Sequence, residues 1–270
     1  LVGSPYVYRR AGTDDVVVSA AEDGHIYEFS RGSAWALTDL SLAAPSSALA
    51  ADDPMAYVRS DGYSSVVYRA IDGGVDELFS LSPAWGSGAL TAYAQLGYAK
   101  SKPFGYVRVN PARDAVVYVG PRNHVFELIL SGSDWTGADL TELSAAPAAA
   151  GSPMPFVRGD QTNAVIFRDA AGHLNELYLS TSWQVDDMSE EAKAPPALND
   201  AVPYVKIDGR NAVVYRGHDG HVYELSSAAD GHEWELSDLT VQAGAPLASS
   251  DARVYRRGGQ DAVVFSSGVG

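Results

Sequence analysis

Glutamate and tryptophan recur along this chain in a pattern that could do chemistry. The glutamates are Glu28, Glu77, Glu127, Glu176 and Glu224, spaced 48 to 50 residues apart in phrases such as HIYEF, HVFEL and HVYEL. A tryptophan follows each one: Trp35, Trp85, Trp135, Trp183 and Trp234, which are all the tryptophans in the chain. A carboxylate accepts hydrogen bonds from two hydroxyls, and an indole offers a flat apolar face for stacking. Such a pair suits reversible binding of a polar ring better than bond breaking. The same residues also suit construction. Each glutamate would then be half of an ion pair between neighbouring repeats, and each tryptophan a wedge whose burial contributes ~2–3 kcal/mol. A basic set is available as partner: Arg9, Arg59, Arg108, Arg158, Lys206 and Arg256.

The remaining polar residues do not assemble a catalytic set. Glycosidases place two carboxylates at a defined separation in one asymmetric pocket, whereas these carboxylates follow the repeat. There is no GxSxG elbow, no HExxH helix and no phosphate-cradling glycine loop. The non-repeated acids Asp186, Asp187, Glu190 and Glu191 are what remains for an isolated active site. His25, His124, His173 and His221 hold one position in four repeats, with Gly74 in the other, and read as turn residues rather than metal ligands. Asp23, Asp61, Asp72 and Asp219 each precede a glycine and read as hairpin turns, since none begins the alternating carboxylates of a calcium loop. Neither a cofactor nor a metal is implied.

These residues must be positioned by the repeat itself. The fullest unit runs from Pro203 to Ser250 and contains four short segments: PYVK, NAVVYR, HVYELS and WELSDLT. Valine, tyrosine and threonine dominate them, turn residues separate them, and no helical periodicity stands out. Four strands every ~50 residues describe the blades of a β-propeller. The run AVVY is apolar at successive positions, as expected of a strand covered on both faces. The sequence therefore predicts an all-β, six-bladed β-propeller with four-stranded blades. It would be one domain over 1–270, with repeats at 5–53, 54–102, 103–152, 153–202 and 203–252 and a partial sixth at 253–270. The open edge of that sixth blade is where a second copy, forming a homo-oligomer, would add strands.

The segment AVVYRGHDGHVYELSSAADGHEWELSDL, from Ala212 to Leu239, resembles the repeat of the fungal and bacterial fucose-binding β-propeller lectins. In that family sugars lie in clefts between blades, held by an arginine of the second strand, a glutamate of the third and aromatic rings. The resemblance puts the family glutamate on the five repeated glutamates and the family tryptophan on the five tryptophans. The family arginine falls on Val66, Val116, Val165 and Val213, and approximately on Val16. A valine cannot supply the bidentate grip of a guanidinium, so the fucose preference does not carry over. The resemblance also implies a secreted, extracellular protein.

Composition narrows the partners. Acidic residues outnumber basic ones 34 to 19, for a formal charge of −15, which disfavours nucleic acid and anionic membranes. No apolar run is long enough for a spanning helix. The opening residues, LVGSPYV, lack the features of a signal peptide. Cysteine is absent, which excludes disulfides and thiolate sites. The resulting expectation is a non-enzymatic, multivalent lectin that binds glycans or glycoconjugates between blades, at the five Glu–Trp pairs. The rival is a propeller scaffold for protein–protein interaction, and a propeller glycosidase or lyase comes third.

Overall fold

The computed structural model describes residues 4–10, 15–80 and 84–268. Among them are five four-stranded antiparallel sheets and one two-stranded sheet, each four-stranded one an up-and-down meander. The chain divides into two compact units, residues 1–139 and 140–270.

The first unit holds three sheets. The first sheet is β1 (Tyr6–Arg9), β2 (Asp15–Ala20), β3 (Ile26–Arg31) and β4 (Trp35–Asp39), followed by the one-turn helix α1 (Leu40–Ala43). The second is β5 (Met55–Val58), β6 (Ser64–Arg69), β7 (Val75–Ser80) and β8 (Trp85–Ala89), followed by α2 (Leu90–Tyr93). The third is β9 (Phe104–Arg108), β10 (Arg113–Val119), β11 (Val125–Ser131) and β12 (Asp134–Asp139).

The second unit opens with α3 (Leu140–Ser144). Its first full sheet, the fourth of the chain, is β13 (Met154–Val157), β14 (Asn163–Arg168), β15 (Leu174–Leu179) and β16 (Trp183–Asp187), followed by α4 (Met188–Ala192). The fifth is β17 (Val202–Val205), β18 (Asn211–Arg216), β19 (Val222–Ser227) and β20 (Glu235–Asp238), followed by α5 (Leu239–Ala243). The sixth sheet is β21 (Arg253–Arg257) and β22 (Gln260–Val264).

Within each unit the core lies between successive sheets. Val66 packs with the residues of the first sheet, whereas its neighbour Val67 packs with those of the third, and both are fully buried. Successive strand residues point to opposite faces, so a strand with a sheet on either side must be apolar at every position. That is the reason for the AVVY runs. The tyrosine ending three of them reaches back to the preceding connection: Tyr68, Tyr118 and Tyr215 donate to the carbonyls of Ala48, Gly97 and Pro195 at 3.0, 3.3 and 3.0 Å.

The helices depart from the sequence reading. Each four- or five-residue helix closes a repeat, too short to show a 3.6-residue period. The phrases DLS, DMS and DLT mark the start of three of them, because Asp39, Asp187 and Asp238 accept the backbone N–H of Leu42, Glu190 and Val241 at 3.0, 2.8 and 2.9 Å. The Asp–Gly turns are as expected. The carboxylates of Asp23, Asp61, Asp72 and Asp219 accept the N–H two residues on, and the glycines that follow have positive φ.

Candidate functional site

Each repeated glutamate sits mid-strand in the third strand of its sheet, opposite an apolar residue of the second. Glu77 lies across from Val67, Glu127 from Val117, Glu176 from Ile166, Glu224 from Val214 and Glu28 from Val18. All five are at least nine-tenths buried. An ionised carboxylate so placed needs a cation, and one arrives from the end of the first strand of the same sheet or the residue just after it. Lys206 Nζ lies 2.6 Å from Glu224, Arg108 Nη1 3.4 Å from Glu127 and Arg59 Nη1 3.6 Å from Glu77. Arg158 grips Glu176 with both Nε, at 2.7 Å, and Nη2. These pairs form within one sheet rather than between repeats. In the first repeat the partner is Arg10; Arg9 instead meets Asp15 at the surface. Arg256 has no glutamate and lies 3.5 Å from Asp261.

The tryptophans point the other way. Trp35, Trp85, Trp135 and Trp183 stand opposite Arg31, Ser80, Leu130 and Leu179, each three residues beyond its glutamate. An odd offset puts Glu and Trp of one repeat on opposite faces. Within the first unit, Glu77 therefore shares a cleft with Trp135 of the following sheet. The five tryptophans are also unlike in exposure: Trp135, Trp183 and Trp234 are buried, Trp85 is half-buried, and Trp35 is 55% exposed beside Arg31.

The cleft between the second and third sheets shows what this arrangement can do. A cavity of about 330 Å³ is lined by Arg59, Asp61, Tyr63, Glu77 and Phe79 on one side and by Trp135 on the other. The volume suits a single sugar ring. Arg59 lies over Tyr63 and Phe79, at 5.5 and 5.8 Å from the ring centroids, and donates to Asp61 at 2.9 Å. Asp114 of the third sheet lies 3.7 Å from Arg59 Nε and accepts the backbone N–H and hydroxyl of Ser60. Arg59 Nε and the Tyr57 hydroxyl have no hydrogen-bond partner among the described residues. Ser65 donates to Glu77 at 2.7 Å, but Arg59, drawn toward Asp61, stands too far away to hydrogen-bond it. Burial accordingly pushes Glu77 up to about 7, only partly countered by Arg59 and Ser65. Glu127 and Glu176 are also raised by burial. The cleft presents a carboxylate short of donors, a guanidinium with an unused N–H, and aromatic walls.

The repeated histidines have a fixed partner. Nδ1 of His25, His124, His173 and His221 lies 2.8, 2.7, 2.6 and 2.7 Å from Asp39, Asp139, Asp187 and Asp238. These aspartates raise the pKa of His25 and His173. The pair ties a hairpin turn to the end of the fourth strand, and the second repeat lacks both members, having Gly74 and Ala89. No group of three or more His, Cys, Asp or Glu among the described residues is placed to hold a metal.

Solved structures place this geometry in context. AofleA from Arthrobotrys oligospora superposes with a TM-score of 0.62 at 17% identity, over 98% of this chain and 86% of its own. A six-bladed β-propeller lectin from Aleuria aurantia gives 0.60 at 15% identity, over 98% and 87%. The fold is a β-propeller. The SapL1 lectin, solved with α-methyl fucoside, gives 0.57 at 17% identity, over 93% and 83%. No family model and no curated relative matches the chain. The likeness to fucose-specific lectins first read from the repeat thus extends over the propeller as a whole. The positions carrying the family arginine are core here: Val16, Val66, Val116, Val165 and Val213 are fully buried. The guanidinium comes instead from the end of the first strand or the residue just after it, which motif alignment alone does not reveal. The signal was Arg59 and its counterparts, each 18 or 19 residues before the glutamate.

Proposed function

We propose that this chain is a non-catalytic carbohydrate-binding protein and that the cleft between the second and third sheets is its principal sugar seat. The observation that carries the reading is Glu77, buried, short of hydrogen-bond donors and open to a ring-sized cavity walled by Tyr63, Phe79 and Trp135. Two sugar hydroxyls donating to Glu77 would stabilise its charged form, while an oxygen of the ring or a hydroxyl accepts from Arg59. An apolar ring face would stack on the aromatic wall. Such a seat holds a monosaccharide at micromolar to millimolar Kd, roughly −8 to −4 kcal/mol. The Glu28 cleft, between the first and second sheets, would add a weaker seat of the same kind, and two seats on one chain raise avidity by ~10²–10⁴ on a glycan-coated surface.

The propeller in this reading comprises five full blades and a two-stranded sixth over 1–270. Its open β22 edge is where a second copy would pair, and its working place is outside the cell. A glycan array that includes fucosides and methylated sugars tests the reading, with free monosaccharide as competitor and Glu77→Gln as control. Competed binding that Glu77→Gln weakens at least about tenfold supports it. A blank array, or binding indifferent to Glu77→Gln, would move the function to protein–protein scaffolding.

A further inference from the structure

The cleft between the fourth and fifth sheets has the same parts in a different state. Glu176 and Tyr178 stand where Glu77 and Phe79 stand, and Arg158 corresponds to Arg59. Trp234 faces them from the fifth sheet, as Trp135 does in the open cleft. Arg158 is only 2% exposed, whereas the Arg59 side chain keeps 11%. The difference is a loop. Glutamate and tryptophan are 10 residues apart in the fifth repeat (Glu224, Trp234), against 7 in the first and fourth and 8 in the second and third.

The additional residues lie on Arg158. The Asp230 carbonyl accepts from Arg158 Nη1 at 2.9 Å, and the Ala229 carbonyl accepts from Asp160 N–H at 3.3 Å. Arg158 is 4.5 Å from the Tyr178 ring centroid, and His232 meets that ring edge-on at 6.5 Å. At Gly231, with φ +78°, a Cβ would fall inside the Arg158 guanidinium, so only glycine lets the backbone come this close. Glu233 also holds a positive φ of 59°, unusual without a glycine's freedom. Beneath the loop the Trp234 indole N–H is buried with no hydrogen-bond partner among the described residues.

We propose that the cleft between the fourth and fifth sheets is a second seat for a neutral sugar, held shut by the loop 228–233. The Asp230 carbonyl occupies the place of a sugar oxygen on Arg158, and the orphaned Trp234 N–H is a donor the sugar would use. The loop is a built-in competitor, and its length sets how many seats the chain offers. This inference rests on the carbohydrate-binding reading of the open cleft.

Deleting Ala229, Asp230 and Gly231 restores the 7-residue spacing of the first and fourth repeats. Gly231→Val displaces the loop without shortening the chain, which keeps the idea testable should the deletion fail to fold. Both are titrated calorimetrically with methyl α-L-fucoside, followed by the methyl glycosides of galactose and mannose, alongside the unaltered chain. The expected result is one additional site per chain, retained when Glu77→Gln is combined with either change. Folded variants with the stoichiometry of the unaltered chain would overturn the inference and leave the open cleft's function standing. If neither the unaltered chain nor any variant binds any glycoside, the carbohydrate reading itself falls, and this inference with it.

Discussion

Glu77→Gln offers a sharp test of the electrostatics of the open cleft. Burial lifts Glu77 from an ordinary 4.5 to about 7. The folded state therefore holds this proton more tightly than the unfolded chain does. The stabilising contribution is complete below pH 4.5 and is lost as pH rises to about 7. At ~1.4 kcal/mol per tenfold change in proton affinity, the loss is of order 3 kcal/mol. Glutamine is a close mimic of the protonated acid and can still accept from Ser65. Arg59 is not orphaned by the change, because Asp61 and Asp114 remain at 2.9 and 3.7 Å. Urea unfolding at about pH 4.5 should show variant and parent nearly equal, and at about pH 8 the variant should be the more stable by roughly 2–3 kcal/mol. A difference that does not change with pH, or a variant that weakens as pH rises, would refute the claim that Glu77 is short of hydrogen-bond donors.

The same ionisation should govern affinity. If the charged form of Glu77 is what sugar hydroxyls donate to, binding at the open cleft should strengthen roughly 10- to 100-fold between about pH 5 and pH 8, measured by titration calorimetry. Glu176→Gln should behave oppositely to Glu77→Gln. It leaves the Arg158 guanidinium buried without its anion and should cost about 3–5 kcal/mol in denaturant unfolding. Asp238→Ala removes both the cap of α5 and the partner of His221, and a loss of about 1–2 kcal/mol is expected from thermal or urea unfolding. His173 is raised by its bond to Asp187, so its contribution is present below its ordinary 6.5 and fades as pH climbs through the raised value. His173→Asn should therefore flatten the stability profile above that pH, as read from melting temperatures across a pH series.

Much of the architecture was determined by the sequence itself. A fifty-residue period, four strand-like segments in each unit and AVVY runs apolar at every position follow from chain-local chemistry and the demand that both faces of a strand be covered. The Asp–Gly turns are equally local, since glycine's freedom at positive φ and an aspartate bonded two residues on need no distant partner. The one-turn helices escaped notice because four or five residues cannot display a helical period, although the capping aspartates Asp39, Asp187 and Asp238 stand just before Leu40, Met188 and Leu239.

Only the tertiary structure decided how the repeated residues meet. Glutamate and tryptophan are near in sequence, yet the alternation of a strand separates them onto opposite faces, so the open cleft combines Glu77 of one repeat with Trp135 of the next. An arginine at the end of the first strand reaches a third-strand glutamate across an intervening strand, a contact that no short motif can encode. The repeats that look alike in sequence also differ in state. Asp61 draws Arg59 away from Glu77 and leaves one cleft open, whereas three added loop residues bury Arg158 and close another. Side-chain competition and loop reach are properties of distances in space, and a spacing along the chain does not contain them.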